Sequence, residues 1–298
     1  FDPADLEQPV GWNMIENVPP EDRHLIASAV VGALKSIWRD SWGPRLEYIL
    51  YASVAALLEC ENTTLLGVQR MLIDPQYRRW VVKQVKDPAV RSFWVDEFES
   101  WDRKLQVEAV SPIQNKVGQL LMSAPVRNVL GQVRRRVDAR FMMDNRRIFI
   151  ANLGKGGLGE DKANLLGALL VSSFQRAAMS RADIPEDGRK DFFLYIDEFQ
   201  NFSTDSFASI LSEARKYRLN LTLSHQFTEQ LRPDVREAVF GNVGTLVSFR
   251  VGQTDAMRLA DEFDGAYPPR QFTRLQNFEV CVKQLHHGRS LVPFLAST

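Results

Sequence analysis

Residues 192–202 read FFLYIDEFQNF, with two adjacent carboxylates directly after an apolar run. Such a run reads as a buried strand, so Asp197 and Glu198 stand at its carboxyl end, the edge where open α/β sheets bind ligands. In a phosphate-cleaving site the first acid, Asp197, would hold Mg²⁺ through water. The second, Glu198, would polarise the attacking water. The same dipeptide also fits a strand that ends in two solvated acids at a turn.

Two more residues fit that chemistry. Leu219 to Ser224 (LNLTLS) reads as another strand and is followed by His225-Gln226. If the two strands are neighbours, Gln226 stands beside the acids, where a neutral donor can sense a γ-phosphate or orient water. A polar residue capping a loop is the plainer account. Arg215 falls on a helix expected from Thr204 to Tyr217, whose apolar stripe is Phe207, Ile210, Leu211 and Ala214. At about 100° per residue Arg215 lies about 80° from Phe207, on the stripe's border, and can reach toward a neighbouring subunit. An arginine supplied in trans stabilises charge in phosphoryl transfer. A surface arginine lying along the sheet is the alternative.

No stretch of the sequence offers a grip on phosphate. A P-loop needs Gly-Lys followed by Ser or Thr at a helix start. The run Gly154-Lys155-Gly156-Gly157-Leu158-Gly159 is instead followed by Glu160-Asp161, acids that cap a helix well and repel phosphate. It reads as a mobile connecting loop. Arg127, Arg134 to Arg136, Arg140 and Arg146-Arg147 form the one basic cluster that stands out. It fits either a nucleic-acid track or a solvated face with internal ion pairs. His286-His287 has no ligand partners at metal spacing and reads as structural.

The elements that must position these residues follow from a chain of 298 residues, 45% hydrophobic and 25% charged, which excludes disordered and low-complexity classes. Lys plus Arg (37) equals Asp plus Glu (37), so contact with nucleic acid must come from a local patch. Two distant cysteines, Cys60 and Cys281, argue against a disulfide scaffold or zinc site and fit a reducing cytoplasm. The longest apolar runs are too short to span a bilayer. The first residue is Phe1, and the chain is expected to be a piece of a longer protein.

Residues 1–18 read as a strand end entering a loop. Strands are expected at 148–153, 192–196, 219–224 and 246–251, alternating with helices at 161–179, 204–217, 229–240 and 254–263. Edge strands follow at 278–285 and 291–295. This alternation means an α/β fold with a mainly parallel sheet. Between them, Pro44, Pro75, Pro88, Pro112 and Pro125 punctuate a strand-free stretch, each near an expected helix start. Residues 42–140 are therefore expected to form an all-helical insertion, and 1–41 with 141–298 one α/β core sharing a sheet.

These segments resemble a known family. FDPADLEQPVGWNMIENVPPEDRHLIAS, SPIQNKVGQLLMSAPVRNVLGQ, IFIANLGKGGLGEDKANLLGALL and LYIDEFQNFSTDSFASILSEARKYRLNLTLSHQFTEQL are similar to TraD/TraG-type conjugative coupling ATPases of type IV secretion, relatives of the HerA and FtsK DNA motors. The resemblance covers nearly the whole chain. It implies a RecA-like P-loop NTPase core with an all-helical insertion, a homo-hexamer that moves single- or double-stranded DNA with ATP and Mg²⁺. By it, Asp197-Glu198 are the Walker B acids, Arg215 the trans-acting arginine and Gln226 the phosphate-sensing glutamine. It implies type IV secretion and relaxosome proteins as partners, and a cytoplasmic location at the inner-membrane face. The family's Walker A loop would precede Phe1, so the chain carries half of such a site or is a degenerate form that binds ATP poorly. A non-catalytic docking or scaffold module of a secretion system is the rival expectation.

Overall fold

Prolines and aspartates set many helix starts in the first half of the chain. Pro44, Pro75 and Pro88 each open a helix, where the missing N–H has no intrahelical partner to lose and φ is already helical. Asp74, Asp87, Asp102 and Asp138 accept hydrogen bonds from backbone N–H groups of the turns that follow them. The computed structural model describes residues 1–204 and 207–298, and its contacts divide the chain into two units, Phe1–Lys190 and Asp191–Thr298.

The described residues of the first unit form helices and turns without a strand. The helices are α1 (Arg23–Ile37), α2 (Pro44–Leu58), α3 (Gly67–Ile73), α4 (Pro75–Val82), α5 (Pro88–Ser92), α6 (Arg103–Leu121), α7 (Ala124–Leu130), α8 (Ala139–Asp144), the single turn α9 (Lys155–Leu158) and the long α10 (Glu160–Met179). Pro112 departs from the expected pattern, because it lies inside α6. Ala109, Val110 and Ile113 are buried around it. Their packing outweighs the roughly 3 kcal/mol that a proline costs within a helix. One apolar core runs from Trp12 to Leu170 and joins the helices of 42–140 to residues on both sides of them.

The expected strand at 148–153 does not form. Among the described residues its backbone hydrogen-bonds across the chain only to Phe1: the Phe1 amino group donates to the Ile150 carbonyl at 2.9 Å, and the Asn152 N–H donates to the Phe1 carbonyl at 2.9 Å. One partner residue makes no ladder, and Ile148 and Ile150 remain 92% and 74% exposed. Residues 1–18 likewise contain no strand.

Among the described residues all the strands lie in the second unit: β1 (Phe192–Ile196), β2 (Leu219–Leu223), β3 (Thr245–Ser248), β4 (Glu279–His286), β5 (Arg289–Ser290) and β6 (Phe294–Ser297). β1 and β2 are parallel, and their connection includes α11 (Phe207–Glu213) and a 3₁₀ turn at Ala214–Tyr217. The helix expected from Thr204 also covered Asp205 and Ser206, which lie outside the described residues. β3, β5 and β6 pair with β4 antiparallel, so the later strands form a second sheet and do not extend the parallel one. Between β4 and β5, His287 and Gly288 both have positive φ (48° and 77°). A two-residue turn of that kind returns the chain antiparallel. Helices α12 (Pro233–Asn242), α13 (Gln253–Glu262) and α14 (Pro269–Thr273) complete the unit. Phe263, Phe272 and Cys281 form part of its apolar core, with Leu246 packed against them. The class is α/β.

Cys60 and Cys281 are free, and burial pushes their thiols up to about 12 and about 11. No helix of the described residues is long and apolar enough to cross a membrane. Trp94 is fully buried among Phe93, Phe98 and the α2 backbone, where its indole N–H donates to the Ala52 carbonyl at 3.2 Å. Trp94→Ala should lower the unfolding free energy of the first unit by about 3–5 kcal/mol in urea titrations.

Candidate functional site at the carboxyl edge of the parallel pair

β1 and β2 end in register, Ile196 opposite Leu223. Residues 197–200 and 224–226 therefore leave the strands side by side. The Ser224 N–H donates to the Ile196 carbonyl at 3.0 Å and the Phe199 N–H to the Ser224 carbonyl at 3.0 Å, which carries the pairing beyond the strands. Between these bonds Glu198 takes a left-handed backbone, φ 50° and ψ 43°. That conformation costs a residue with a Cβ roughly 1–2 kcal/mol.

Each carboxylate is then held by neutral donors. Asp197 Oδ1 accepts from the Glu198 N–H at 3.0 Å and from the Ser224 hydroxyl. Glu198 Oε1 accepts from Gln226 Nε2 at 3.0 Å, and its Oε2 accepts from Gln200 Nε2 at 2.6 Å. These donors fix the direction of both acids without cancelling their charge. Asp197 is exposed and Glu198 half-buried.

The structure thus brings Asp197, Glu198 and Gln226 together and leaves Arg215 apart. α11 stops at Glu213, and Arg215 lies exposed in the 3₁₀ turn that precedes β2. The helical angle expected for it does not hold there, because a 3₁₀ turn has three residues per turn. β2 runs five residues from Leu219 to Leu223, so Arg215 sits at its amino end, roughly 15 Å from the acids along the strands. Sequence reasoning missed Ser224 and Gln200. Ser224 was visible in the Ser-His-Gln run, but its bond to Asp197 needs the register. Gln200 reaches Glu198 two residues back, across the left-handed turn, which no pattern announces. Among the described residues the buried Gln200 Oε1 atom has no hydrogen-bond partner.

Behind the acids Phe199 is fully buried, stacked on Phe207 at 5.6 Å and meeting His225 edge-on at 5.4 Å. Burial holds the His225 pKa below its ordinary value, against the opposing pull of Asp255 and Glu198. Asp255 is itself buried and accepts from the N–H and hydroxyl of Thr228.

Two carboxylates and an orphaned amide oxygen are hard oxygen donors of the type that suits Mg²⁺. Asp197, Glu198 and Gln200 therefore fit a hydrated Mg²⁺ ion. Among the described residues nothing comparable fits the phosphates. The glycine-rich run forms the α9 turn rather than an open loop, and Lys155 Nζ lies 2.7 Å from Glu160 Oε1. Three arginines of the basic cluster are engaged internally: Arg134 pairs with Glu16 at 3.1 Å, Arg135 with Asp138 at 3.1 Å, and Arg140 with Asp183 at 2.8 Å.

Several solved structures share this fold. The bacterial conjugative coupling protein TrwBdeltaN70, in its unbound monoclinic form, is 14% identical with a TM-score of 0.63, over 95% of this chain and 70% of that one. Plasmid coupling protein TrwB in complex with ADP and Mg²⁺ is 15% identical with a TM-score of 0.60, over 97% of this chain and 76% of that one. VirB4 of Thermoanaerobacter pseudethanolicus is 12% identical with a TM-score of 0.51, over 95% of this chain and 75% of that one. At such identities the likeness is one of fold: the chain has the fold of type IV coupling ATPases. No family model and no curated protein sequence matches it.

His225 gives this edge a pH dependence. Folding depresses its pKa below the unfolded value of about 6.5, so its stabilisation is complete above that pH and fades as the pH falls. The denaturant midpoint of the second unit should therefore fall between pH 7.5 and pH 5, and His225→Gln should flatten part of that fall.

Proposed function

We propose that the chain carries the water-activating half of an ATPase site in a DNA translocase of conjugative or type IV secretion transfer. One observation carries this reading: Glu198 is held at both oxygens by Gln200 and Gln226, beside Asp197, where a parallel strand pair ends. The coupling-protein fold supports it. In this reading Asp197 would hold Mg²⁺ through water, and the ion would supply charge stabilisation for phosphoryl transfer. Glu198 polarises the attacking water, its carboxylate fixed in advance by the two amides. Gln226 bridges Glu198 and the γ-phosphate position, so a change in the nucleotide is felt at the end of β2. Arg215 is exposed at the far edge and serves the site of the neighbouring subunit in a ring of six.

The same proposal takes residues 1–41 and 141–298 as the motor core and 42–140 as its helical insertion. Its partners are DNA and the type IV secretion and relaxosome proteins, at the cytoplasmic face of the inner membrane. ATP would be gripped by a Walker A loop outside these residues. The chain by itself should therefore turn over ATP at well below about 1 s⁻¹, the lower end of usual catalytic rates.

With that loop in place, Glu198→Gln should keep ATP binding and abolish turnover, because only the transition state loses an interaction. Arg215→Ala should also abolish turnover, with a loss of roughly 10³–10⁵ in rate. Mixing the two inactive variants should restore part of the activity, since some interfaces then pair an intact Glu198 with an intact Arg215. Mixed rings that stay dead would defeat the shared site. Full activity in Glu198→Gln would show that Glu198 does not activate the water and would defeat this assignment.

A further inference from the structure

The segment from Val68 to Arg91 carries six cations (Arg70, Arg78, Arg79, Lys83, Lys86, Arg91) against two acids, Asp74 and Asp87. Both acids are engaged at helix starts: Asp74 caps α4 and Asp87 caps α5. The buried side of α4 is Arg78, Val81 and Val82, with Arg78 paired to Glu99 at 3.0 Å. The opposite face carries Gln76, Arg79, Trp80 and Lys83, spaced i, i+3, i+4 and i+7, and all but the last lie within the helix. Residues at that spacing share one side of a helix. Arg79, Trp80, Lys83 and Lys86 are exposed, Trp80 by 47%.

Trp80 is an exposed indole braced from behind. Its ring lies 5.5 Å from that of Tyr77 at an interplanar angle of 30°, and the Arg70 guanidinium sits 4.0 Å above the Tyr77 ring. This ladder of guanidinium, phenol and indole holds Trp80 in place and leaves it exposed beside unpaired positive charge. Among the described residues no acid pairs with Arg79, Lys83 or Lys86.

We infer that this face of α4 binds single-stranded nucleic acid, with a base stacked on Trp80 and phosphates at Arg79, Lys83 and Lys86. Aromatic platforms edged with cations bind single strands without sequence preference, because every base has a π-face and every nucleotide a phosphate. An acidic peptide would meet the cations and leave the indole unused. A bilayer would need a longer apolar stripe than one indole flanked by Gln76, Arg79 and Lys83. The inference rests on the proposed DNA-moving function for the class of polymer only, and assigns its contact to the helical unit.

The test uses the whole chain and a fluorescent oligothymidine of about twenty nucleotides, which spans one to several such sites. Trp80→Ala should weaken binding roughly 5- to 150-fold, while Trp80→Phe keeps most of it. Arg79→Glu with Lys83→Glu should lower the slope of log affinity against log salt by about 0.7 for each phosphate that is no longer neutralised. Unchanged melting curves would show that these surface variants fold. Unaltered affinity and salt slope in the variants would overturn the platform while leaving DNA transport intact. A chain with no measurable affinity for the oligonucleotide would overturn both. If the variants lose binding to phosphatidylglycerol vesicles or to polyglutamate while DNA binding persists, the surface belongs to a lipid or an acidic protein, and the inference fails.

Discussion

The candidate site depends on the register in which β1 meets β2. Because Ile196 lies opposite Leu223, the two strands end flush, and the next residues of each can bond to one another. A slip by one residue would send every side chain of one strand to the other face. It would also part Glu198 from Gln226. The register is backed from below by Phe199, which is locked between Phe207 and His225. One aromatic cluster therefore ties α11 and the two strand exits together, and the carboxylates inherit their position from it.

The charged clusters are of two kinds. In the first, guanidinium groups close on carboxylates: Arg140 on Asp144 and Asp183, Arg181 on Asp144, and Arg78 on Glu99. Those clusters are electrically complete. At the strand edge of the second unit two neighbouring carboxylates are oriented by amides and a hydroxyl, donors that add no positive charge. An acid pair held that way keeps its full attraction for a cation, which suits a binding site better than a structural brace.

How much of this could be read in the residues depended on how local the cause was. FFLYI and LNLTL are apolar runs bounded by polar residues, and both became strands at the expected places. α10 likewise follows its apolar period from Glu160 to Met179. IFIANL is as apolar as those strands, but strand formation needs a partner along its length, and among the described residues only Phe1 bonds to it. The antiparallel second sheet was hidden because pairing direction is set by connections such as His287-Gly288, not by the strands they join. Gln200 and Ser224 were missed because a backbone turn and a register bring them to the acids. The cationic face of α4 escaped for another reason. Arg79, Trp80 and Lys83 are interleaved with buried Val81 and Val82, and they separate only once the helix phase is known.

The left-handed backbone at Glu198 sets two kinds of selection against each other. Glycine reaches this conformation without the Cβ penalty, and asparagine visits it more readily than most residues, so either would relieve strain that the glutamate carries. Neither offers a carboxylate to Gln200 and Gln226. A library at this position ranked by thermal survival should drift toward glycine, and one ranked by chemistry should return to glutamate. The divergence would measure how much folding stability the acid displaces, from sequence counts alone.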